Sequence, residues 1–367
     1  VKDSLAKDAL AEQDAKKDRS RTGAPVRALR TAGGLSVRFE LRPLIVVAAL
    51  LVVAFVASVV LIGTGDFRIP VPDVLNTLMG NGTAAHEFII NDLRLPRVVV
   101  GLLVGAALGL SGALFQSVTR NPLGSPDIIG FGQGSTVGAL VVIVLFQGSA
   151  EAVALGSLAG GLVTGVLIYL LAWKRGIHGY RLVLVGIGAA AVLTAANGYL
   201  LTKAQIVDAA RAVVWITGSL NGRGWEQVGP LFWFCLILMP LVLAYARPLR
   251  MLEMGDDVAY ALGVRVERTR LVLMTAAVLL TAAATAAAGP VAFVSLTAPQ
   301  LARRLTRSPG PNLMASMVMG ATLLIAADLG AQRVFGADQL PVGVVTGVLG
   351  GGYLLWLLAA ERKAGRV

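Results

Sequence analysis

The sequence predicts an all-α polytopic membrane protein of about ten transmembrane helices. Three observations predict it: an excess of apolar residues, long stretches without any charge, and a lopsided distribution of lysine and arginine. Of 367 residues, 56% are hydrophobic and 14% charged, with a mean hydropathy of +0.75. Soluble domains run at roughly 45–50% apolar and about 25% charged. Most of this surface must therefore face something other than water.

Stretches free of Asp, Glu, Lys and Arg cover residues 43–65, 98–119, 128–150, 152–173, 182–202, 227–246, 308–327 and 339–360, each 20 to 23 residues long. About 20 apolar residues cross a ~30 Å hydrocarbon core as a helix. A ninth stretch, 271–302, has 32 residues and contains Gly289-Pro290 and Pro299. A single straight helix of that length would reach about 48 Å. Broken at Gly289-Pro290, it becomes a full span and a shorter one, which makes ten. With the N-terminus inside, ten spans put 25 Lys and Arg on the cytoplasmic side and 7 outside, whereas an unbroken stretch gives 20 and 12. Cytoplasmic loops carry the positive excess, so ten spans with both termini cytoplasmic is the better fit.

Residues 1–42 are polar and mixed in charge and lack an apolar core with a small-residue cleavage site. They read as a disordered cytoplasmic tail, not a secretory signal. The membrane-spanning body is 43–360, and 361–367 form a second cytoplasmic tail. Within the outer segment 203–226, the apolar stretch around Ala212 to Leu220 is too short to cross and reads as a helix lying against the outer face. Glycines recur every four residues in Gly101/Gly105/Gly109, Gly156/Gly160, Gly161/Gly165 and Gly347/Gly351. Small residues at that spacing let helix backbones approach closely in lipid, and packing within one subunit is the expected use.

Composition also excludes functions. The net charge of +11 sits at the ends of apolar runs, the pattern of a bilayer anchor and not of a nucleic-acid surface. The single cysteine, Cys235, permits no intrachain disulfide. His86 and His178 stand far apart in no metal-ligand spacing. None of the seven lysines precedes Ser or Thr, so the phosphate-cradling Gly-Lys-Ser/Thr loop is missing. Ion-coupled transporters place ionisable groups near the midplane, and the nine runs hold none. Asn197 and Gln116 are the notable buried polar groups, read as helix–helix hydrogen bonds. Either the protein is a passive pore or scaffold, or a partner supplies its energy.

The cytoplasmic loop 247–267 points to a partner. Pro248 and Gly255 punctuate it and Gly263 closes an apolar-periodic stretch, which predicts two short helices with a glycine hinge. Helices lying on lipid favour basic polar faces. This one carries Glu253, Asp256 and Asp257, which favours a protein.

Several stretches, in order over residues 43–360, resemble the vitamin B12 and iron–siderophore permease family (FecCD-type) of bacterial ABC importers. They are Leu93-Arg94-Leu95-Pro96-Arg97, Gln116 to Gly134 (QSVTRNPLGSPDIIGFGQG), Leu252 to Val264 (LEMGDDVAYALGV), Ala288 to Phe293 with Pro299 to Arg304, and Gln339 to Gly347. Within the family, NPLGSPDIIGF and LEMGDDVAYALGV are most similar to the branch that carries ferric enterobactin.

The resemblance implies the ten-helix type II ABC importer permease fold of the vitamin B12 permease kind. It also implies a location in the bacterial cytoplasmic membrane. The cargo would be a ferric siderophore of the catecholate type, with vitamin B12 or haem as the alternative. The partners would be ABC ATPase subunits, an extracytoplasmic substrate-binding protein and a second, homologous permease subunit. The chain itself would be no enzyme, with no cofactor and no iron ligand.

The resemblance also assigns residues. Leu252, Glu253, Gly255, Asp256, Asp257, Ala261, Leu262 and Gly263 would form the ATPase-coupling loop. Arg94 and Arg97 would receive acidic residues of the binding protein; two arginines at i and i+3 offer forked donors to a carboxylate. The family's third docking arginine falls here on Gln332, with Arg333 beside it. His178, Gly179 and Tyr180 match the cytoplasmic gate, with Tyr180 bulkier than the small polar residues found there in other members.

Overall fold

The computed structural model describes residues 27–30, 36–39, 41–65, 67–173, 179–333 and 340–363. His178 and most of the expected N-terminal tail lie outside the described residues. A two-stranded antiparallel ladder, Arg27–Arg30 with Ser36–Phe39, precedes the helices.

Fourteen helices follow among the described residues. They are α1 (Leu41–Gly63), α2 (Val71–Leu78), α3 (Ala84–Thr119), α4 (Phe131–Leu145), α5 (Ala150–Ala172), α6 (Gly179–Lys203) and α7 (Ile206–Ile216). Then come α8 (Trp225–Ala244), α9 (Ala246–Glu253), α10 (Asp256–Ala261), α11 (Val266–Ala288), α12 (Val294–Thr306), α13 (Leu313–Arg333) and α14 (Val342–Lys363). Setting aside the short α2, α7, α9 and α10 leaves ten, as the charge-free runs predict.

The long stretch 271–302 breaks where expected. Gly289 ends α11 with φ +76°, and a Cβ there would stand 2.6 Å from the Trp215 carbonyl. Only glycine meets both demands, a left-handed turn and a close backbone approach. Pro290 follows, unable to continue the helical hydrogen bonds. The chain then re-enters helix at Val294 through Phe293, which is itself at φ +66°. α12 has 13 residues, about 20 Å, so it crosses only part of the bilayer. The same order appears twice: a long helix (α3 or α11), an irregular segment (120–130 or 289–293), a short helix (α4 or α12) and two full spans. Irregular backbone at membrane depth is tolerated where protein buries it, and Gly124, Ser125, Ile129 and Gly130, like Gly289 and Val291, are buried.

Burial sorts the helices. In the most apolar window of each helix, 78% of α3, 72% of α11 and 67% of α13 is buried, against 17% of α6. α3 is thus the central post, enclosed by α11, α12 and α13, and α6 is a rim helix. Glycines set the closest contacts. A Cβ on Gly105 would collide with the Gly320 carbonyl of α13, and one on Gly138 of α4 with the Gly156 carbonyl of α5. Such contacts replace the hydrophobic drive that lipid does not supply. Gly347 and Gly351 of α14 differ, for a Cβ on either would meet nothing within 4 Å among the described residues.

Candidate functional site

At one end of the bundle, α9 and α10 form the two short helices expected around Gly255. Gly255 has φ +120° and Gly263, closing α10, has φ +81°, so both hinge positions use backbone that L-residues rarely adopt. Leu249 and Leu252 of α9 and Ala259 of α10 are buried and seat the pair on the bundle.

Ion pairs fix its azimuth. Asp256, in the first turn of α10, accepts from Arg270 Nη2 of α11 at 2.9 and 3.0 Å and from Arg120 Nη2, at the end of α3, at 3.1 Å. Arg270 is buried, at 5% exposure. A carboxylate holding two guanidinium groups, one withdrawn from water, is a firm anchor. Its position at a helix N-terminus adds a favourable dipole term. Glu253 is held more loosely, by Arg303 of α12 at 3.4 Å with both side chains partly exposed. Arg303 also reaches the Ser117 hydroxyl of α3 at 3.2 Å. The outward face is left with Met254, Val258, Tyr260 and Leu262 exposed, at 68%, 44%, 78% and 57%, beside the exposed Asp257. Four exposed apolar side chains thus cluster around two short helices. Gly255, Ala261 and Gly263 complete the loop.

The opposite end gathers the other predicted group. Arg94 donates to the carbonyls of Ile62 and Phe67, both at 2.6 Å. Arg97 grips Asp328 of α13 through Nη2 at 2.7 Å and Nε at 3.0 Å. With its amide oriented by the hydrogen-bond network, Gln332 turns its oxygen to the same arginine, at 3.0 and 3.2 Å. Arg333, one residue on, is exposed. Arg94, Arg97, Gln332 and Arg333 thus share one corner. The first two point their donors into the protein, and Arg333 presents its charge to solvent.

Of the predicted gate, Gly179 and Tyr180 open α6. A Cβ on Gly179 would stand 3.1 Å from the Thr119 carbonyl at the end of α3, and Tyr180 is 82% exposed. His178 lies outside the described residues.

The partners of α9 and α10, Arg120, Arg270 and Arg303, escape a reading of the sequence, as does Asp328. Each flanks an apolar run with nothing in the sequence to show its partner, and their pairing spans 14 to 231 residues of chain. Among the described residues no group of three or more His, Cys, Asp or Glu could hold a metal ion.

The family model described as the FecCD transport family matches residues 49–360. The chain is 47% identical over 323 residues to the ferric enterobactin transport system permease protein FepG of Escherichia coli, covering 88% of this chain and 98% of that protein. It is 37% identical over 326 residues to the iron(3+)-hydroxamate import system permease protein FhuG of Bacillus subtilis, covering 86% and 97%. A solved metal-chelate type ABC transporter in an inward-facing conformation matches with a TM-score of 0.77 at 26% identity, over 86% of this chain and 99% of that one.

Proposed function

This chain belongs to the FecCD transport family, and on that basis we propose that it is the membrane-spanning permease subunit of an ABC importer for a ferric siderophore, with a catecholate chelate as first candidate. The observation that carries the reading is the exposed face of α9 and α10, ion-paired to α3, α11 and α12. A bundle without a nucleotide-binding loop of its own offers here a protein-binding surface tied directly to its central helices.

In this reading the end bearing α9 and α10 is cytoplasmic, and ATPase subunits dock there. Two permease subunits flank the passage. α14 suits the seam, because a Cβ on Gly347 or Gly351 would meet nothing within 4 Å among the described residues and Val348 is 72% exposed. The corner of Arg94, Arg97, Gln332 and Arg333 faces the binding protein, with Arg333 the charge most free to meet an acidic lobe. His178, Gly179 and Tyr180 gate the cytoplasmic exit. ATP-driven closure must favour one pore conformation over the other by about 5.5 kcal/mol to move a population from 1:99 to 99:1. A bulky chelate brings its own iron coordination, so the passage needs shape more than ligands.

Uptake of labelled ferric siderophores by a strain deleted for this chain is the test. Loss of ferric catecholate uptake, restored by the intact gene and stopped by vanadate, is the expected result. Unimpaired siderophore uptake with cobalamin uptake lost would overturn the iron assignment. Uptake that stops on collapse of ion gradients but survives vanadate would overturn the ABC reading.

A further inference from the structure

Asp127 lies in the irregular segment between α3 and α4, four residues ahead of α4. Its carboxylate accepts a 2.5 Å hydrogen bond from Ser295, the second residue of α12, whose own side chain is fully buried. Ser295 stands eleven residues from the end of α12 at Thr306, about 16 Å into the bundle. Asp127 is therefore a carboxylate at membrane depth, where charges mark function more often than architecture. It meets the start of a helix whose N-cap, Phe293, supplies no side-chain cap, so its charge also complements the helix dipole.

What lies on either side of the pair gives it a role. Toward the coupling helices, α12 carries Arg303, which holds Glu253. Gln300 of α12 also donates to the Pro122 carbonyl at 2.8 Å, and Gln116 of α3 donates to the Leu296 carbonyl at 3.0 Å. Toward the rim, the segment presses on α6 backbone to backbone. A Cβ on Gly130 would stand 3.0 Å from the Ala190 Cα, and one on Gly186 would collide with Ile129. α6 is the least buried of the long spans and opens with Gly179 and Tyr180.

We propose that Asp127, through Ser295, is a positioning residue that transmits movement of the coupling helices along α12 to α6. The inference rests on the permease reading above. A push on Glu253 displaces Arg303 and α12. Because Ser295 and Asp127 are joined, residues 127–130 follow, and α6 with them. Without the link, ATP would still be hydrolysed while α6 stayed in place.

The test uses the whole transporter, reconstituted with its ATPase and binding protein. Asp127→Ala and Ser295→Ala are each expected to lower uptake by about tenfold or more, and Asp127→Ala/Ser295→Ala to be no worse than either alone, because neighbours in one network are not additive. ATP hydrolysis should stay within about twofold of wild type in all three. Asp127→Asn keeps an oxygen for the Ser295 hydroxyl and should retain most uptake. A second readout needs no cargo. The single native cysteine of this chain, Cys235, is buried, so with cysteine-free partner subunits a thiol placed at the exposed Leu184 of α6 reports that helix. Its labelling rate should change on ATP binding in wild type and stay constant in Asp127→Ala.

Normal uptake in Asp127→Ala, additive losses, or uptake and hydrolysis falling together would each overturn the link. Wild-type protein that shows the ATP-dependent labelling change but carries no ferric siderophore would instead count against the cargo, and leave the link to be judged by labelling.

Discussion

Arg97 and Asp328 face each other across the interface of α3 and α13, joined by two hydrogen bonds of 2.7 and 3.0 Å. The arginine side chain keeps 14% of its exposure and the aspartate none. Two charges withdrawn this far depend on each other, since the loss of one leaves the other uncompensated.

Arg97→Ala is expected to destabilise the chain by about 3–5 kcal/mol, the usual cost of breaking a buried pair by removing one partner. Replacing both residues with apolar ones of similar volume should cost far less, because no orphan charge remains. Thermal unfolding of the detergent-solubilised protein, run as a double-mutant cycle, measures both. If Arg97→Ala lowered binding-protein affinity with no loss of stability, the arginine would be acting mainly outward.

How much of this was legible beforehand depends on which interaction made each element. The ten helices follow from hydrophobic stretches and loop charge, which are local properties. Gly289-Pro290 broke the long run as its length demanded, and Gly255 formed a hinge because its neighbours left little choice. Asp328 shows where reading stops. It lies just past the charge-free run 308–327, at the end of the ninth span, and α13 continues to Arg333 and draws it inside. Its partner is 231 residues away, beyond any periodicity. Arg120 and Arg270 were likewise counted as topology signals, yet they hold Asp256. Arg94 and Arg97, expected to receive acidic residues of a binding protein, have donors that serve carbonyls and a carboxylate of the same chain. Nothing in a helical i, i+3 spacing reveals which side of the helix its neighbours will occupy.

Glycine packing yields a second prediction. Gly105→Ala would drive a methyl into the Gly320 backbone, an overpacking that typically costs about 1–3 kcal/mol, and should lower the unfolding temperature of the isolated chain. Gly347→Ala meets nothing within 4 Å among the described residues and should leave that temperature unchanged. If α14 is the seam between permeases, Gly347→Leu should instead weaken association of the two subunits, seen as loss of co-purification. A Gly347→Leu chain that assembles normally would move the seam elsewhere.

The exposed apolar face of α9 and α10 gives a third. Met254→Glu and Tyr260→Glu place charges on side chains that are 68% and 78% exposed, so folding should be unaffected within about 0.5 kcal/mol. Buried in a partner interface, the same charges are costly. Co-purification of the ATPase should therefore fall sharply while the yield and unfolding temperature of the permease hold. Undiminished capture of the ATPase by both variants would place its docking surface off these helices.

If α9 and α10 receive the stroke of an ATPase, Asp256 and Glu253 separate two ways of losing it. Asp256 accepts from two arginines, one of them buried, whereas Glu253 has one partner at 3.4 Å with both side chains partly wet. Exposed pairs of the second kind contribute roughly 0–1 kcal/mol. Asp256→Ala should therefore release α10 and strand the Arg270 charge. The expected result is loss of stability, of ATPase binding and of uptake together. Glu253→Gln should leave stability and ATPase binding near wild type, because Leu249 and Leu252 still seat α9 and the glutamine oxygen can still accept from Arg303. Reversing the charge with Glu253→Arg sets two guanidinium groups against each other at the end of α12, so uptake should fall while hydrolysis continues. Measuring hydrolysis and uptake on the same proteoliposomes distinguishes the cases. Equal behaviour of Asp256→Ala and Glu253→Arg in both assays would mean that the two contacts form one anchor, and that α12 has no separate part in conveying the stroke.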